Sequence, residues 1–273
     1  MRRLVAIISA LCIALTAAAD NGKVVMKAAK SSSEYTKITI GPAIKVIVED
    51  RTEGNIIIRA TEEIIDDVKL AISNNELTVS YKKDMHFNPK SGRTFAEVYI
   101  PHNDKLCDFT VAAASIVEVK PRLNVKRLSV ECIGVSTITI AATAESSEVE
   151  LVGASTATLD IACSKLDCQI TGASTATISG SATEAEFDIS GASTLSAAEF
   201  KATELEADIS GASKARLTAE RAEVEASGAS KATIECSTAL TAEAAGASSI
   251  LYTGDCQVKV KNNSGASKIR KEN

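Results

Sequence analysis

Apolar and polar side chains alternate with a period of two residues through the second half of the chain. In the segment 153–171, GASTATLDIACSKLDCQIT, one alternating run ends near residue 162 and a second begins near residue 165. The small or apolar residues of this alternation are Ala157, Leu159, Ile161, Leu166, Cys168 and Ile170. A period of two indicates strands with one buried face, whereas a helix repeats its apolar positions every ~3.6 residues. Each such segment therefore predicts two short strands and a further short stretch, separated by turns.

The tripeptide Gly-Ala-Ser recurs through the same region at nearly constant spacing. Its copies begin at residues 153, 172, 191, 211, 228, 246 and 265, so successive copies lie 17 to 20 residues apart. A degenerate copy, Gly134-Val135-Ser136, precedes the first, and Ala113-Ala114-Ser115 has the form of an earlier one. A fixed period of this length is typical of a solenoid.

One coil of this size cannot bury its apolar face alone, so the coils must stack. Stacking gives every strand parallel neighbours at roughly 4.7–4.9 Å and closes the interior. Parallel crossovers strongly prefer the right hand, and coils of 17 to 20 residues break the hexapeptide rhythm of left-handed forms. We therefore expect an all-β protein in which residues 113–273 form a right-handed parallel β-helix of about 19 residues per coil.

The glycine that opens each coil indicates a corner with a backbone conformation that other residues avoid. The serine two positions later has the parity of the inward residues that follow it. We therefore expect its hydroxyl to point inward and to bond with backbone groups of the corner. The predicted corner residues are Gly134, Gly153, Ser155, Gly172, Ser174, Gly191, Ser193, Gly211, Ser213, Gly228, Ser230, Gly246, Ser248, Gly265 and Ser267.

The region before the repeats, residues 35–112, is also rich in short β-type runs. Gly41-Pro42, Glu53-Gly54-Asn55 and Asn74-Asn75 punctuate these runs as turns. No 19-residue period is visible here, so the strands form either irregular first coils of the same helix or a small sheet packed on its end. Residues 20–34 are polar and are expected to be a linker.

Residues 1–19 have the form of a secretory signal peptide. Two arginines open the chain, residues 4–15 are an apolar run too short to span a bilayer, and Ala17-Ala18-Ala19 offers a cleavage site. Lipidation at Cys12 is disfavoured because the large Leu11 precedes it. We expect a mature chain that begins near Asp20, has no membrane span and is extracytoplasmic, whether periplasmic, secreted or on the cell surface.

Composition narrows the possible functions. Aromatic residues make up 3% of the 273 residues and tryptophan is absent, which disfavours a deep ligand cleft because such clefts are usually walled by aromatic side chains. The net charge of −5 disfavours nucleic acid as a partner, since phosphate binding needs clustered lysine and arginine.

No catalytic, cofactor-binding or metal-ligating constellation is evident. His86 and His102 are the two histidines, and Cys163 and Cys168 lie five residues apart rather than in a C-x-x-C pattern. The pattern G-x-S-x-G does not occur, and a catalytic serine would not be repeated in every coil. We therefore predict no catalytic residue, no cofactor and no metal, and we expect that the protein is not an enzyme.

Two outward features keep alternatives open. Asp188 and Asp208 both precede an Ile-Ser-Gly-Ala-Ser run, so their carboxylates should stack on neighbouring coils, as a catalytic pair or a calcium site would require. We prefer a solvated strand face, because aromatic platforms and long loops are missing.

Threonine pairs also recur at equivalent positions, as on ice-binding surfaces, at Thr137/Thr139, Thr156/Thr158 and Thr175/Thr177. That array fails at Lys214/Arg216 and resumes only partly at Lys231/Thr233. Threonine is a common exposed strand residue, and this is the interpretation we prefer.

Six cysteines follow the predicted cleavage site: Cys107, Cys132, Cys163, Cys168, Cys236 and Cys256. Cys163 and Cys256 share a position in the repeat but lie five coils apart, too far to pair. Cys236 and Cys256 lie on adjacent coils two positions out of register, so a bridge between them is possible but the register does not favour it. We expect most of the cysteines to be unpaired core residues. The alternative is a framework of three disulfides.

A family resemblance rests on three features. The chain opens with the alternating run Tyr35-Thr36-Lys37-Ile38-Thr39-Ile40-Gly41, passes through Val98-Tyr99-Ile100-Pro101 and continues in serial Gly-Ala-Ser repeats. Over roughly residues 35–265 it resembles the bacterial family of autotransporter adhesin head domains. The resemblance implies a β-helical fold and transfers no catalytic residue.

The sequence thus predicts an exported, non-catalytic β-helical module of the cell surface or periplasm, with an adhesin-like binding or structural role. Its expected partner is a protein or glycan of the cell envelope. The alternative is a carbohydrate-active β-helix enzyme, either a lyase or a hydrolase. A groove with convergent carboxylates and aromatic side chains would favour the enzyme, and flat ladders of Thr, Lys and Glu would favour the module.

Overall fold

Parallel strands stacked coil upon coil form a solenoid of about nine turns. The computed structural model describes residues 10–13, 23–30, 35–82 and 96–272. A short 3₁₀-helix, Ile65–Asp67, lies between the fifth and sixth strands. The strands are β1 (Ala10–Ile13), β2 (Val24–Ala29), β3 (Lys37–Ile40), β4 (Ile44–Glu49), β5 (Ile56–Thr61), β6 (Val68–Ser73), β7 (Glu76–Tyr81), β8 (Ala96–Pro101), β9 (Asp108–Ala112), β10 (Ile116–Asn124), β11 (Arg127–Gly134), β12 (Thr137–Thr143), β13 (Ser146–Gly153), β14 (Thr156–Ile170), β15 (Thr175–Ile189), β16 (Thr194–Ile209), β17 (Lys214–Ala226), β18 (Lys231–Ala244), β19 (Ser249–Thr253), β20 (Gln257–Asn263) and β21 (Lys268–Lys271).

The coils build two sheets, which we call face A and face B. Face A consists of β4, β10, β12, the first halves of β14 to β18, β19 and β21, all paired in parallel. Face B consists of β3, β9, β11, β13, the second halves of β14 to β18, and β20, again in parallel. The Gly-Ala-Ser corner leads from face B to face A, and a second corner leads back. The expected all-β parallel solenoid of about 19 residues per coil is confirmed.

Coils of different length stay in register at the Gly-Ala-Ser corner. Thr156, Thr175 and Thr194 stack at intervals of 19 residues, and Lys214 and Lys231 follow at intervals of 20 and 17. In several coils the pairing shifts after this aligned start, for instance between residues 196 and 202 of β16 and between Ala242 and Glu243 of β18. Differences in coil length are therefore absorbed at different points further along the coil, and the first residues after each Gly-Ala-Ser corner remain aligned.

The interior of the solenoid is narrow and filled mainly by aliphatic side chains. Two buried phenylalanines fit because the neighbouring coils leave room for them. Phe200 stacks in register on Gly180, and Phe187 stacks on Ala207. The two rings meet edge to face with centroids 6.2 Å apart, a favourable aromatic geometry. The low aromatic content of the chain thus matches the width of the solenoid.

The strands of residues 35–112 continue both faces and do not form a separate sheet. β4 and β8 extend face A, and β3 and β7 extend face B, with parallel pairing throughout. Antiparallel strands complete this end, since β5 pairs with β8, β2 with β5, and β6 with β7. Irregular first coils, one of the two alternatives from the sequence, therefore describe this region.

The expected linker over residues 20–34 is wrong in its central part. Val24–Ala29 forms β2, and every residue of this strand pairs with β5. Val24, Val25 and Met26 are apolar and valine favours strands, so this run is not the polar linker that the residues around it indicated, and it pairs with β5 further along the chain. The predicted signal peptide, residues 1–19, and its cleavage site lie outside the described residues, apart from the backbone of β1. In the described part of the chain, no helix has the length and hydrophobicity needed to cross a membrane.

Candidate functional site

Each Gly-Ala-Ser corner is built around a glycine with positive φ. Gly172 has a φ of 85°, in the left-handed region that side-chain-bearing residues avoid. The amide of Ala173 donates a hydrogen bond of 2.7 Å to the carbonyl oxygen of Gly153 in the preceding coil. Equivalent bonds of 2.7–2.8 Å join all successive corners from Gly134 to Ala266. The corners therefore form a continuous hydrogen-bonded ladder along the solenoid.

The corner serines form a buried column beside this ladder. Ser155, Ser174 and their equivalents up to Ser248 are at most 2% exposed. The hydroxyl of Ser174 donates to the carbonyl oxygen of Thr171 at 2.9 Å and accepts from the amide of Ser155 at 3.2 Å. Ser213 differs, because its buried hydroxyl has no hydrogen-bond partner among the described residues.

The structure places the sequence-predicted corner residues in two parallel columns. Their hydrogen bonds go to the backbone of their own coil or of a neighbouring coil, with one side-chain contact from the serine of the last coil to Asn263. The glycine column, with positive φ throughout, holds Gly134, Gly153, Gly172, Gly191, Gly211, Gly228, Gly246 and Gly265. The serine column holds Ser155, Ser174, Ser193, Ser213, Ser230, Ser248 and the half-buried Ser267. Through these hydrogen bonds the Gly-Ala-Ser tripeptide shapes the corner and joins neighbouring coils.

Face A changes its chemistry along the solenoid. The exposed side chains of Thr156, Thr175 and Thr194 stack in one column, and Lys214 and Lys231 continue it. In the adjacent column Arg216 follows Ser196, Thr233 and Leu251 come next, and Arg270 is last. The threonine array is therefore flat and in register over its first coils, and the last coils of face A carry positive charge.

Face B carries a continuous acidic surface, which we call the acidic face. Two adjacent outward columns run across β13 to β18, with carboxylates at five of six positions in each. The outer column is Glu150, Gln169, Asp188, Asp208, Glu225 and Glu243. The inner column is Glu148, Asp167, Glu186, Glu206, Glu223 and Thr241. Neighbouring side chains of these columns belong to adjacent parallel strands at roughly 4.7–4.9 Å.

Partial burial and the crowding of like charges raise the pKa of two carboxyl groups on the acidic face. Partial burial, and after it the charges of Asp208 and Asp167, raise the pKa of the Asp188 carboxyl. Partial burial and the charges of Asp208 and Glu243 likewise raise the pKa of the Glu225 carboxyl. Both directions follow first from the cost of partly burying a negative charge, and after it from the cost of placing a second negative charge beside the first.

A shallow groove of about 500 Å³ lies on the acidic face beside its inner column. A third outward column, which contains Glu184 and Glu204, lies along this groove. Glu184 and Glu204 line it, and Arg221 pairs with Glu204 through a hydrogen bond of 2.6 Å from Nε to Oε1. Lys261 pairs with Glu223 across two coils. Cations are thus present, but they are fewer than the carboxylates around them.

Asp188 and Asp208 stack in register, as the sequence indicated. In the part of the chain that the structure describes, no group of three or more His, Cys, Asp or Glu side chains could hold a metal ion. The outward positions of the acidic face from β13 to β18 carry no aromatic side chain. The arrangement offers a flat, negatively charged surface and no platform on which a sugar ring could stack.

Of these acids, the sequence pattern drew attention only to Asp188 and Asp208. Sequence reasoning missed that Glu148, Glu150, Glu223, Glu225 and Glu243 complete the same two columns. The signal was available in the repeat, because the outward positions before each Gly-Ala-Ser alternate with the inward ones. Aligning the coils at their glycines would have shown the acidic face.

The six described cysteines are free, with Cys132, Cys168 and Cys236 buried and the other three half-buried. Burial raises the pKa of the Cys132 thiol to about 12, so that thiol stays protonated at neutral pH.

Of the two histidines, His86 lies outside the described residues. His102 is largely buried, and its Nε2 lies 3.2 Å from the carboxylate of Asp104.

Solved structures share this fold along nearly their whole length. A putative adhesin from Parabacteroides distasonis ATCC 8503 has a TM-score of 0.71 at 17% identity, covering 92% of this chain and 98% of that one. A putative adhesin from Parabacteroides merdae ATCC 43184 has a TM-score of 0.64 at 17% identity, covering 93% and 98%. A putative lipid binding protein from Parabacteroides distasonis ATCC 8503 has a TM-score of 0.67 at 14% identity, again covering 93% and 98%. At these identities the likeness shows the fold alone.

A family model places the chain more specifically. The model described as "Putative auto-transporter adhesin, head GIN domain" matches residues 34–221, which is more than half of the chain. No curated protein matches. The resemblance found in the sequence is confirmed, and the chain belongs to the auto-transporter adhesin head GIN domain family.

Proposed function

We propose that this protein is a non-catalytic, adhesin-like binding module of the cell envelope that presents its acidic face to a positively charged protein or glycan. The single observation that carries the proposal is the acidic face itself, with carboxylates at five of six positions in two adjacent columns. Like charges at neighbouring positions of a sheet destabilise it. A surface that keeps them is suited to a partner whose cations offset the repulsion.

The shape of the surface also supports a binding role. A flat sheet face with one sign of charge attracts a partner of opposite charge and raises its rate of encounter. Membership of an adhesin-described family agrees with such a role. The narrow, filled interior leaves the outer faces as the surfaces on which a partner can bind.

Binding should be measured first with the purified mature chain, on glycan arrays and by pull-down from envelope fractions. The deciding variant combines Glu186→Gln, Glu206→Gln and Asp208→Asn, which removes three charges from exposed positions without changing side-chain size. We expect this variant to lose most of its affinity for the captured partner, and we expect wild-type affinity to fall steeply with salt.

The matched control combines Lys214→Gln, Arg216→Gln and Lys231→Gln on face A, where three exposed charges are also removed. This control should keep its affinity if the acidic face is the binding surface. Loss of affinity in the control, with binding retained in the acidic-face variant, would move the binding surface to face A and contradict the proposal.

Export is the second part of the proposal. It rests on the positive, apolar and small-residue segments of residues 1–19, which form a signal peptide pattern. N-terminal sequencing of the protein from its native host should give a chain that begins near Asp20, recovered outside the cytoplasm. A cytoplasmic chain that begins at Met1 would refute export.

One observation favours a second candidate, a carbohydrate-active enzyme. Asp188 and Asp208 stack in register on adjacent strands, whose spacing is roughly 4.7–4.9 Å, and the carboxyl groups of retaining glycosidases lie roughly 5–5.5 Å apart. The raised pKa of Asp188 would also suit a proton donor. Release of reducing sugar from envelope polysaccharides, lost in Asp188→Asn and in Asp208→Asn, would establish this candidate over the binding module.

A further inference from the structure

Cys236 and Cys256 stand at the second corner of two successive coils. Cys236 lies in β18 where face A ends, and Cys256 immediately precedes β20. A Cβ atom built on Gly254 would lie 2.2 Å from the carbonyl oxygen of Cys236, so the later coil passes directly over the earlier one here. The pairing of Ala239 with Gln257 fixes the same register on the far side of the corner.

The two side chains meet inside this corner. Cys236 is fully buried, and its Sγ donates to the carbonyl oxygen of Ala239 at 3.1 Å. Cys256 is half-buried and packs against the core. Burial, and after it a hydrogen bond between the two thiol side chains, raises the pKa of Cys236 to about 11. Each of these cysteines therefore has the other as a direct neighbour.

The other cysteines with paired neighbours lack such a partner. Cys163 also stands at a second corner and is also half-buried, but its register neighbour on the next coil is Ala182. The register neighbours of Cys132 and Cys168 are aliphatic or aromatic residues. Cys236 and Cys256 are thus an apposed pair of thiols, whereas Cys163, in an equivalent place, has Ala182 as its neighbour on the next coil and a hydrogen bond with the side chain of Ser147.

We propose that Cys236 and Cys256 form a disulfide bond when the protein meets a disulfide donor, and that this bond ties β18 to the coil containing β20. The thiolate of the more accessible Cys256 attacks one sulfur of the donor and expels the other as a thiolate. The sulfur of Cys236 then attacks the Cys256 sulfur and expels the second donor thiolate. The two protons of the cysteines pass to the expelled thiolates, so one donor disulfide and two protein thiols give one protein disulfide and two free thiols. This inference is independent of the proposed function.

Peptide mapping tests the bond directly, because no Lys or Arg lies between Lys231 and Lys259. The folded, reduced mature chain is incubated with oxidised glutathione, then unfolded, alkylated and digested with trypsin. We expect peptide 232–259 to carry no alkyl group and to be lighter by two hydrogen atoms. Cleavage after Glu243 should leave its two halves joined until a reductant is added.

Two variants complete the test. Cys163→Ser should form the 236–256 disulfide in wild-type yield. Cys256→Ser should fold, leave Cys236 alkylated after unfolding, and lose the rise in melting temperature that oxidation gives the wild type. A wild-type peptide 232–259 that carries two alkyl groups, or a lasting glutathione adduct on Cys256 beside an alkylated Cys236, would overturn the proposal.

Discussion

A Cβ atom placed on Gly172 would lie 2.3 Å from the carbonyl oxygen of Gly153 in the preceding coil. The same oxygen accepts the hydrogen bond from the amide of Ala173 at 2.7 Å. A side chain at Gly172 would therefore meet backbone that cannot move without breaking the corner ladder. The positive φ of Gly172 adds conformational strain for any other residue.

Gly172→Val should therefore destabilise the solenoid. We expect the free energy of unfolding to fall by about 1–3 kcal/mol, because a β-branched residue is strained at this φ and its Cβ clashes with the neighbouring coil. The measurement is the midpoint of chemical or thermal unfolding. Ala173→Val is the matched control, since Ala173 is exposed and has no positive φ, and it should change the midpoint little. Equal midpoints for the two variants would contradict this account of the corner.

The serine column allows a comparison between two equivalent positions. Ser174→Ala removes a hydroxyl that donates to Thr171 and accepts from the amide of Ser155, so we expect a loss of about 1–2 kcal/mol. Ser213→Ala removes a buried hydroxyl without a hydrogen-bond partner among the described residues, so it should be neutral or stabilising. Denaturant midpoints of the two variants decide the question. A larger loss for Ser213→Ala would show that the hydroxyls do not act through these bonds.

The features that the sequence predicted best are those that repeat. Gly172 and Ser174 meet local requirements of the corner, a positive φ and an inward hydroxyl. The same requirements recur in every coil, so the tripeptide repeats along the sequence and the corners can be recognised from it. The inward side chains of β14, such as Leu159 and Ile161, follow from a period of two that belongs to each strand alone. Fold class and coil length could therefore be read before the structure was known.

The features that the sequence did not predict depend on pairing between distant residues. β2 becomes a strand because it lies against β5, and nothing in Val24–Ala29 encodes that partner. The meeting of Cys236 with Cys256 depends on how the chain turns at the second corner, which no tripeptide marks. Register could be assigned only at the Gly-Ala-Ser corner, which is why the sequence left this pair as a possibility.

The corner between β9 and β10 offers the converse of the Gly172 experiment. Ala113 occupies the corner position that glycine holds in later coils, and it has a positive φ of 47°. Ala113→Gly removes the strain of an alanine in the left-handed region, which outweighs the added freedom of the unfolded chain, so we expect stabilisation of about 0.5–1 kcal/mol. Ala154→Gly is the control, because Ala154 is exposed and has no positive φ, and it should be neutral or destabilising. A lower unfolding midpoint for Ala113→Gly would contradict this prediction.

The charge of Asp188 makes the stability of the folded protein depend on pH in a definite direction. Because the pKa of this carboxyl is raised in the folded state, the folded protein binds the proton more tightly than the unfolded chain does. Stability should therefore fall as the pH rises from the ordinary value of 3.8 through the raised pKa, and it should stay lower above that range. This is the opposite of the behaviour of a carboxylate that gains a cationic partner.

Asp188→Asn should remove that penalty. At neutral pH and low salt we expect a gain of about 0.2–0.5 kcal/mol, small because the side chain is exposed and screened by water. The gain should shrink as the pH falls towards 3.8 and as salt is added. Asp160→Asn is the control, since Asp160 pairs with Arg122 across two coils and its loss should bring no gain at any pH. Unfolding midpoints measured from pH 7 down to pH 4 test both variants. A gain for Asp188→Asn that does not change with pH would show that charge repulsion is not its cause.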